Sequence, residues 1–360
     1  MKLSRAVLLM CCLLTLEVGA QNNAPKYSNE FMNLGAGARA FGLGLSAVSY
    51  TNDANAGYWN PAGLNNLQSD HQVSMMHSAY FAGIANYDFA AFATKVDSLG
   101  FIGISVLRFS VDDIADTRFL FDGSGAVNYD NIRYFSSSDY AVLLTYARQL
   151  SFLGGIDFGG NVKIIRRVVG DFASSWGFGL DVGVSKSYKG WNFGVVGKDL
   201  FGTFNSWSYN TSELADIYTQ TGNEIPTNGL EVSLPRLLLG ASRTFELGDM
   251  FSLMGTVDLA ITFDGKRNTL IKTEAGSIDP YGGVEFGFKE KAFLRAGVSQ
   301  FQQIEDFDNS TSWSFQPSLG VGLKLSELTI DYAFTDIGDQ AAGLYSHVFS
   351  VKVDFYSNEK

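Results

Sequence analysis

The chain has 360 residues and a formal net charge of −11, and its 39 Gly, 29 Phe and 16 Tyr stand beside only 6 Pro. The acidic balance, without any basic run, excludes a typical nucleic-acid-binding protein. After residue 20, no apolar run reaches the roughly 18 residues of a transmembrane helix. This composition is typical of all-β proteins, both soluble ones and outer-membrane barrels.

Residues 1–20 have the pattern of an export signal. Lys2 and Arg5 precede the apolar run 6–16, and the small residues Gly19 and Ala20 follow it. We predict cleavage before residue 21, which removes both cysteines and leaves no thiol or disulfide in the mature chain. A lipid anchor on a cysteine is the weaker alternative, because neither cysteine follows the small residue that such an anchor needs.

Residues 21–70 lack the period of two that marks a strand. They contain "NLGAGARAFGLG" (33–44) and "NDANAGYWNPAGL" (52–64), where a proline disfavours helix for the residue before it. Irregular backbone cannot face lipid, so these residues are expected to form a plug inside a barrel, inserted from the periplasmic side. The predicted plug motif consists of Arg39, which is expected to pair with a luminal carboxylate, and of Tyr58, Trp59, Asn60, Pro61, Ala62, Gly63 and Leu64.

From residue 71 onward, apolar and polar residues alternate over stretches as long as a tilted membrane strand, about 9–11 residues. In residues 251–263, for example, Phe251, Leu253 and Val257 share one face and Ser252 and Asp258 the other. The alternation predicts fourteen strands: 71–80, 86–96, 99–109, 138–149, 155–168, 174–188, 192–199, 235–245, 251–263, 279–288, 292–302, 313–325, 327–335 and 345–356. The chain is therefore expected to be all-β, with residues 71–360 forming a 14-stranded antiparallel transmembrane outer-membrane barrel. A secreted sandwich or propeller is the alternative.

The connections support the membrane barrel, because long and tight ones alternate as they do in bacterial barrels. Long connections are predicted at 110–137, 200–234, 264–278, 303–312 and 336–344, and tight ones near 97–98, 189–191, 289–291 and 326. One wall position breaks the pattern. Pro317 lies on an apolar strand face without an N–H for the ladder. It marks either a splayed strand entry or a weakened seam in the wall.

The N-terminal part of the sequence resembles a known family. "KYSNEFMNLGAGARAFGLG" followed by "NDANAGYWNPAGL" is similar to the N-terminal signature of the PorV/PorQ family of Bacteroidota, within the FadL-like superfamily of 14-stranded barrels. The resemblance covers residues 26–64. It implies a partner of the type IX secretion or cell-surface attachment machinery.

Enzymatic and cofactor sites are not expected. "GAGARA" (35–40) matches a dinucleotide-binding pattern but lacks the preceding strand of a βαβ unit. The three histidines, His71, His77 and His347, form no metal or hydrolase motif, and the loops 112–116 and 305–309 are read as solvated acidic tips rather than calcium sites. Luminal charges of both signs are expected to pair and to hold the plug rather than to select ions: Asp157, Lys163, Asp181, Asp258, Glu285, Lys324, Lys352 and Asp354.

Three functions remain. The first is a plugged barrel that binds protein partners of the secretion or attachment machinery. The second is a FadL-like passive transporter of a hydrophobic ligand, which needs an apolar route from the outer loops to an opening in the wall. The third, an outer-membrane enzyme, has no motif to support it. The resemblance favours the first. Outer-membrane lipid is an expected partner in the first two.

Overall fold

The structure is a computed structural model that describes residues 28–80, 83–222, 224, 226–273, 276–305, 310–335 and 345–357. The predicted signal peptide, residues 1–20, lies outside the described residues, as do residues 306–309 of the second acidic loop. The described strands form one antiparallel sheet. In chain order they are β1 (His71–Tyr80), β2 (Ala85–Asp97), β3 (Gly100–Asp116), β4 (Arg133–Leu150), β5 (Ile156–Val169), β6 (Ala173–Tyr188), β7 (Trp191–Lys198), β8 (Thr203–Tyr209), β9 (Gly229–Ser233), β10 (Arg236–Leu247), β11 (Phe251–Thr262), β12 (Ile271–Thr273), β13 (Gly276–Phe288), β14 (Ala292–Glu305), β15 (Thr311–Leu325), β16 (Leu328–Thr335) and β17 (Ser346–Phe355).

These seventeen described elements amount to fourteen strands of the barrel wall. β7 and β8 both pair with β6 and together form one wall strand, which is interrupted at residues 199–202. β9 and β10 together form the next wall strand, which is interrupted at residues 234–235. β12 is a short addition beside β13. The sheet closes where β1 pairs with β17, from His71 opposite Phe355 to Ala79 opposite His347. The predicted 14-stranded antiparallel barrel is confirmed. Because β1 pairs with β17, neither the first nor the last strand of the sheet presents a free edge to lipid, as a sheet in a membrane requires.

The predicted loops are partly wrong. β3 continues to Asp116 and β4 begins at Arg133, so the connection predicted at 110–137 is only 117–132. The predicted loop 200–234 contains β8, β9 and an α-helix. In the continuation of β3 the alternation of apolar and polar residues breaks at Asp112 and Asp113, although the strand itself continues. The outer connection 170–172 is also short, so the alternation of long and tight connections is not strict.

The outer face of the wall is apolar. Val257 has 56% of its surface exposed, whereas the next residue, Asp258, faces the lumen and has 4% exposed. Phe251 and Leu253 share the outer face with Val257, and both are more than one-third exposed. The strand phase predicted from their alternation is therefore the observed one.

The helices are short. Those of the N-terminal segment are the 3-10 helices Glu30–Asn33 and Pro61–Asn66 and the α-helices α1 (Ala38–Gly42) and α2 (Ala56–Trp59). The others are α3 (Thr211–Thr221) and the 3-10 turns Tyr129–Asn131 and Ser151–Leu153. None of the helices in the described part of the chain is long and apolar enough to cross a membrane.

Candidate functional site in the barrel lumen

Residues 28–70, called the N-terminal segment below, lie against the inward-facing side of the wall. Inward-facing glycines allow its backbone to approach the strands closely. A Cβ atom at Gly297 would lie 2.0 Å from the nitrogen of Gly44, and one at Gly194 would lie 2.3 Å from the oxygen of Val48. We call these contacts the glycine track, which consists of Gly159, Gly183, Gly194, Gly240, Gly283, Gly297 and Gly320. The inward glycines thus provide the space that the segment occupies.

The Asn-Pro step joins the segment to itself and to the wall. Asn60 is extended, with φ −148° and ψ 105°, as the following proline predicts. Its Oδ1 accepts from the N–H of Ala62 at the start of the 3-10 helix. Pro61, the first residue of this helix, has no N–H that would need an acceptor. Its Nδ2 donates to the oxygens of Val48, at 3.0 Å, and of Val184, at 3.2 Å. Asn60 is fully buried, so all these groups depend on one another for hydrogen bonds.

Two aromatic residues brace the segment. The Tyr58 hydroxyl donates to the oxygen of Met32 at 2.7 Å and accepts from the N–H of Gly35. Trp59 Nε1 donates to the oxygen of Ala36, and its ring meets that of Tyr58 edge-on at 4.9 Å. Burial raises the pKa of the Tyr58 phenol well above its usual value, so it remains a neutral donor.

The rest of the predicted motif is buried too. Ala62 and Leu64 are at most 1% exposed. A Cβ atom at Gly63 would lie 2.1 Å from the oxygen of Thr51, so only glycine fits there.

Ion pairs join the segment to the wall. Arg39 forms a two-pronged pair with Glu285, with distances of 2.9 and 2.7 Å. Glu285 also accepts from Arg295 at 2.6 Å, and Arg295 pairs with Asp331 at 2.7 Å. This arginine–carboxylate chain links the wall strands β13, β14 and β16, and the forked geometry of arginine fixes its direction.

The other predicted luminal charges mostly hold the N-terminal segment. Lys352 pairs with Asp53 at 2.6 Å, and Asp258 accepts from the N–H groups of Ala47 and Val48. The remaining contacts are Asp157 with Asn65 and Asn66, Asp354 with Ser69 and Gln72, and Lys163 with Asp181 and Asp199. This arrangement agrees with a paired lining rather than with an ion-selective pore.

A vestibule lies above the segment, toward the outer loops. Its volume is about 510 Å³, which lies in the usual range of ligand pockets. The lining is mixed, with Leu34, Phe41 and Leu45 from the segment opposite polar wall residues such as Gln316.

A smaller inner pocket of about 70 Å³ adjoins the vestibule. Its walls are Trp59, Val48 and Leu238, with the ammonium of Lys198 over the Tyr58 ring at 4.4 Å. Both cavities share these residues: Asn33, Leu45, Arg236, Ala260 and Tyr281. Arg236 Nη2 donates to Asn33 Oδ1 at 2.5 Å, so this hydrogen bond joins two residues that line both cavities.

Beside the inner pocket the wall bulges at residues 199–202. Asp199, Phe201 and Gly202 have positive φ, and Phe201 is 92% exposed. Residues 199–202 lie opposite only two residues of the next strand, 234 and 235. Of these two, Pro235 has no N–H to donate. Sequence reasoning missed this bulge because it ended a strand at residue 199. The glycine at 202 and the proline at 235 were the signals.

Pro317 lies next to an interruption of the strand ladder. It pairs with Val298 of β14, below a register shift between Ser299 and Gln302. On the other side, the described pairs with β16 begin at Leu319, and residues 336–344 lie outside the described residues. The seam at Pro317 stays a prediction.

The histidines contact separate groups on the outer side of the wall. His71 meets Thr94, His77 meets Asp88 and His347 meets Tyr332. Residues 112–116, predicted as an acidic loop, belong to β3, and Asp116 pairs with Arg118 at 2.8 Å. The described part of the chain contains no group of three or more His, Cys, Asp or Glu side chains placed to hold a metal ion.

The fold is that of known outer-membrane channels. No protein-family model and no curated protein matches the chain. Among solved structures, the CymD monoaromatic hydrocarbon channel is 12% identical with a TM-score of 0.56, covering 90% of this chain and 98% of its own. The toluene transporter TodX of P. putida is 13% identical with a TM-score of 0.55, covering 90% and 99%. A Pseudomonas aeruginosa FadL homologue is 12% identical with a TM-score of 0.52, covering 89% and 98%.

This likeness shows the fold alone. One of these structures is a FadL homologue, so the barrel fold agrees with the one that the N-terminal motifs implied. Membership of the FadL-like superfamily and of the PorV/PorQ family stays a prediction.

Proposed function

We propose that the protein is a passive outer-membrane channel for hydrophobic small molecules, in which the N-terminal segment acts as a plug. The observation that carries this proposal is that the vestibule and the inner pocket adjoin and share lining residues, next to the wall bulge. A ligand would enter from the outer loops, pass the Asn33–Arg236 contact and leave near Phe201. The names of CymD and TodX, which describe hydrocarbon and toluene transport, support the same reading.

The inner pocket is narrow, so passage requires side chains to move. Arg236 is the side chain that must move, because it lines both cavities and is held by Asn33 and Asp199. Side-chain rotamer changes are fast compared with movement of a whole wall strand. Passage therefore requires the Arg236 side chain to move but no wall strand to separate.

We expect Ala260→Phe to lower the uptake of radiolabelled toluene several-fold in cells without a channel of their own. Ala260 faces inward and lines both cavities, so a larger side chain fills the route. Ala90→Phe is the matched control, because Ala90 is exposed on the outer wall and pairs with Met75 of β1. It should leave uptake at the wild-type level.

Equal uptake by both variants and the wild type would contradict the channel. It would favour the second candidate, a barrel that binds protein partners, which the N-terminal resemblance implies. The observation that favours this candidate is a set of exposed aromatic side chains at the outer end of the barrel, including Phe121 and Tyr129 in the loop 117–132 and Tyr134 at the start of β4, each at least 64% exposed.

A further inference from the structure

One arginine on the outer wall has no oxygen partner. Arg243 follows Ser242, which is inward-facing and 1% exposed, so its own side chain leaves the wall on the outer face. There it lies over the rings of Trp191, at 5.5 Å, and Phe245, at 4.8 Å. Within the described residues Arg243 has no hydrogen bond or ion pair.

The other outward-facing arginines of the wall differ from it. Arg108 and Arg148 donate to Asp88 and Asp97, and Arg166 donates to the oxygen of Ser175. Among the residues that the structure describes, no oxygen or carboxylate therefore compensates the positive charge and N–H groups of Arg243. Aromatic rings contact the guanidinium carbon, but they do not satisfy its five N–H donors.

A groove of about 590 Å³ begins at this arginine and crosses four strands of the outer wall. Its floor consists of the small residues Ala241, Gly255, Gly282 and Ala296, and valines form its sides. A Cβ atom at Gly255 would meet nothing within 4 Å, so the groove is open to the membrane. The shape suits a flexible apolar chain.

The depth of Arg243 matches a lipid head group. In the strand ladder Arg243 pairs with Trp191 of the neighbouring strand, the first residue of β7 after the tight turn at 189–190. Tight turns mark the periplasmic side, where aromatic girdles lie at the boundary between head groups and acyl chains. The phosphates of the inner leaflet lie at this level.

We propose that this groove binds an anionic phospholipid of the periplasmic leaflet, with its phosphate on Arg243 and an acyl chain along the small residues. Guanidinium forks match phosphate oxygens, and the uncompensated charge selects a lipid with a net negative charge. The site lies outside the lumen and is independent of what the channel carries. A bound lipid would fix this part of the wall in the membrane.

Native mass spectrometry of the detergent-solubilised barrel with added phosphatidylglycerol tests this site. We expect Arg243→Gln to retain phosphatidylglycerol roughly tenfold less than the wild type, because charge-assisted hydrogen bonds are lost. Ala241→Phe, which fills the groove and keeps the charge, should lower retention as well. Arg148→Gln is the control and should retain lipid like the wild type. All variants are compared at equal far-ultraviolet circular dichroism, which verifies the barrel.

Two further arms decide the source of the phosphate. Phosphatidylcholine should be retained less than phosphatidylglycerol, and inorganic phosphate should not displace the bound lipid, because the acyl chain contributes to binding. Retention by Arg243→Gln or Ala241→Phe at the wild-type level would overturn the proposal, and so would equal retention of the two lipids.

Discussion

Replacing Gly297 by alanine is expected to destabilise the barrel by about 3 kcal/mol, the upper end of typical overpacking costs. The added methyl group would lie 2.0 Å from the nitrogen of Gly44 and 2.3 Å from the carbonyl carbon of Leu43. Backbone atoms cannot rotate away as a flexible side chain can. Gly44 has a φ of +62°, in the left-handed region that favours glycine, so its backbone is part of a tight turn against the wall.

Urea titration of the protein refolded in lipid vesicles measures this effect. Gly255→Ala is the matched control, because Gly255 is on the outer face and has no atom within 4 Å of an added Cβ. Equal unfolding midpoints for the two variants would show that the N-terminal segment does not rest on the inner wall at Gly297.

Replacing Glu285 by glutamine should cost about 3–5 kcal/mol, the usual result of removing one partner from a buried ion pair. Glu285 is 6% exposed and accepts from both Arg39 and Arg295. Glutamine keeps the volume but removes the charge that two guanidinium groups share. The loss should fall mainly on the link between the N-terminal segment and the wall.

Limited proteolysis with an arginine-specific protease, added from the periplasmic side of vesicles, reports that link separately from barrel stability. Faster cleavage at Arg39 is expected for Glu285→Gln. Asp88→Asn is the control, because Asp88 belongs to an exposed pair with Arg108, and such pairs contribute little. Wild-type stability and cleavage in Glu285→Gln would refute the role of the buried chain.

The barrel could be predicted from the sequence because each wall strand has one apolar face and one polar face. This alternation gave the phase of Val257 and Asp258, and the Asn-Pro step gave the extended conformation of Asn60. Both are local properties, fixed by residues next to each other in the chain. Nothing distant is needed to read them.

The cavities could not be predicted, since they depend on residues far apart in the chain. Asn33 and Arg236 meet across 203 positions, and Lys198 meets Tyr58 across the lumen. Single residues of these types carry no pattern. The bulge at 199–202 was missed for a different reason: a strand that bends and then continues looks, in sequence, like a strand that ends.

The most direct measurement of the central proposal is a crystal of the protein soaked with iodobenzene, whose iodine atom is located by anomalous scattering. The channel predicts an iodine peak inside the barrel among Leu45, Ala260 and Tyr281, the residues that line both the vestibule and the inner pocket. Iodine peaks confined to the outer face of the wall, with none in the lumen, would contradict it.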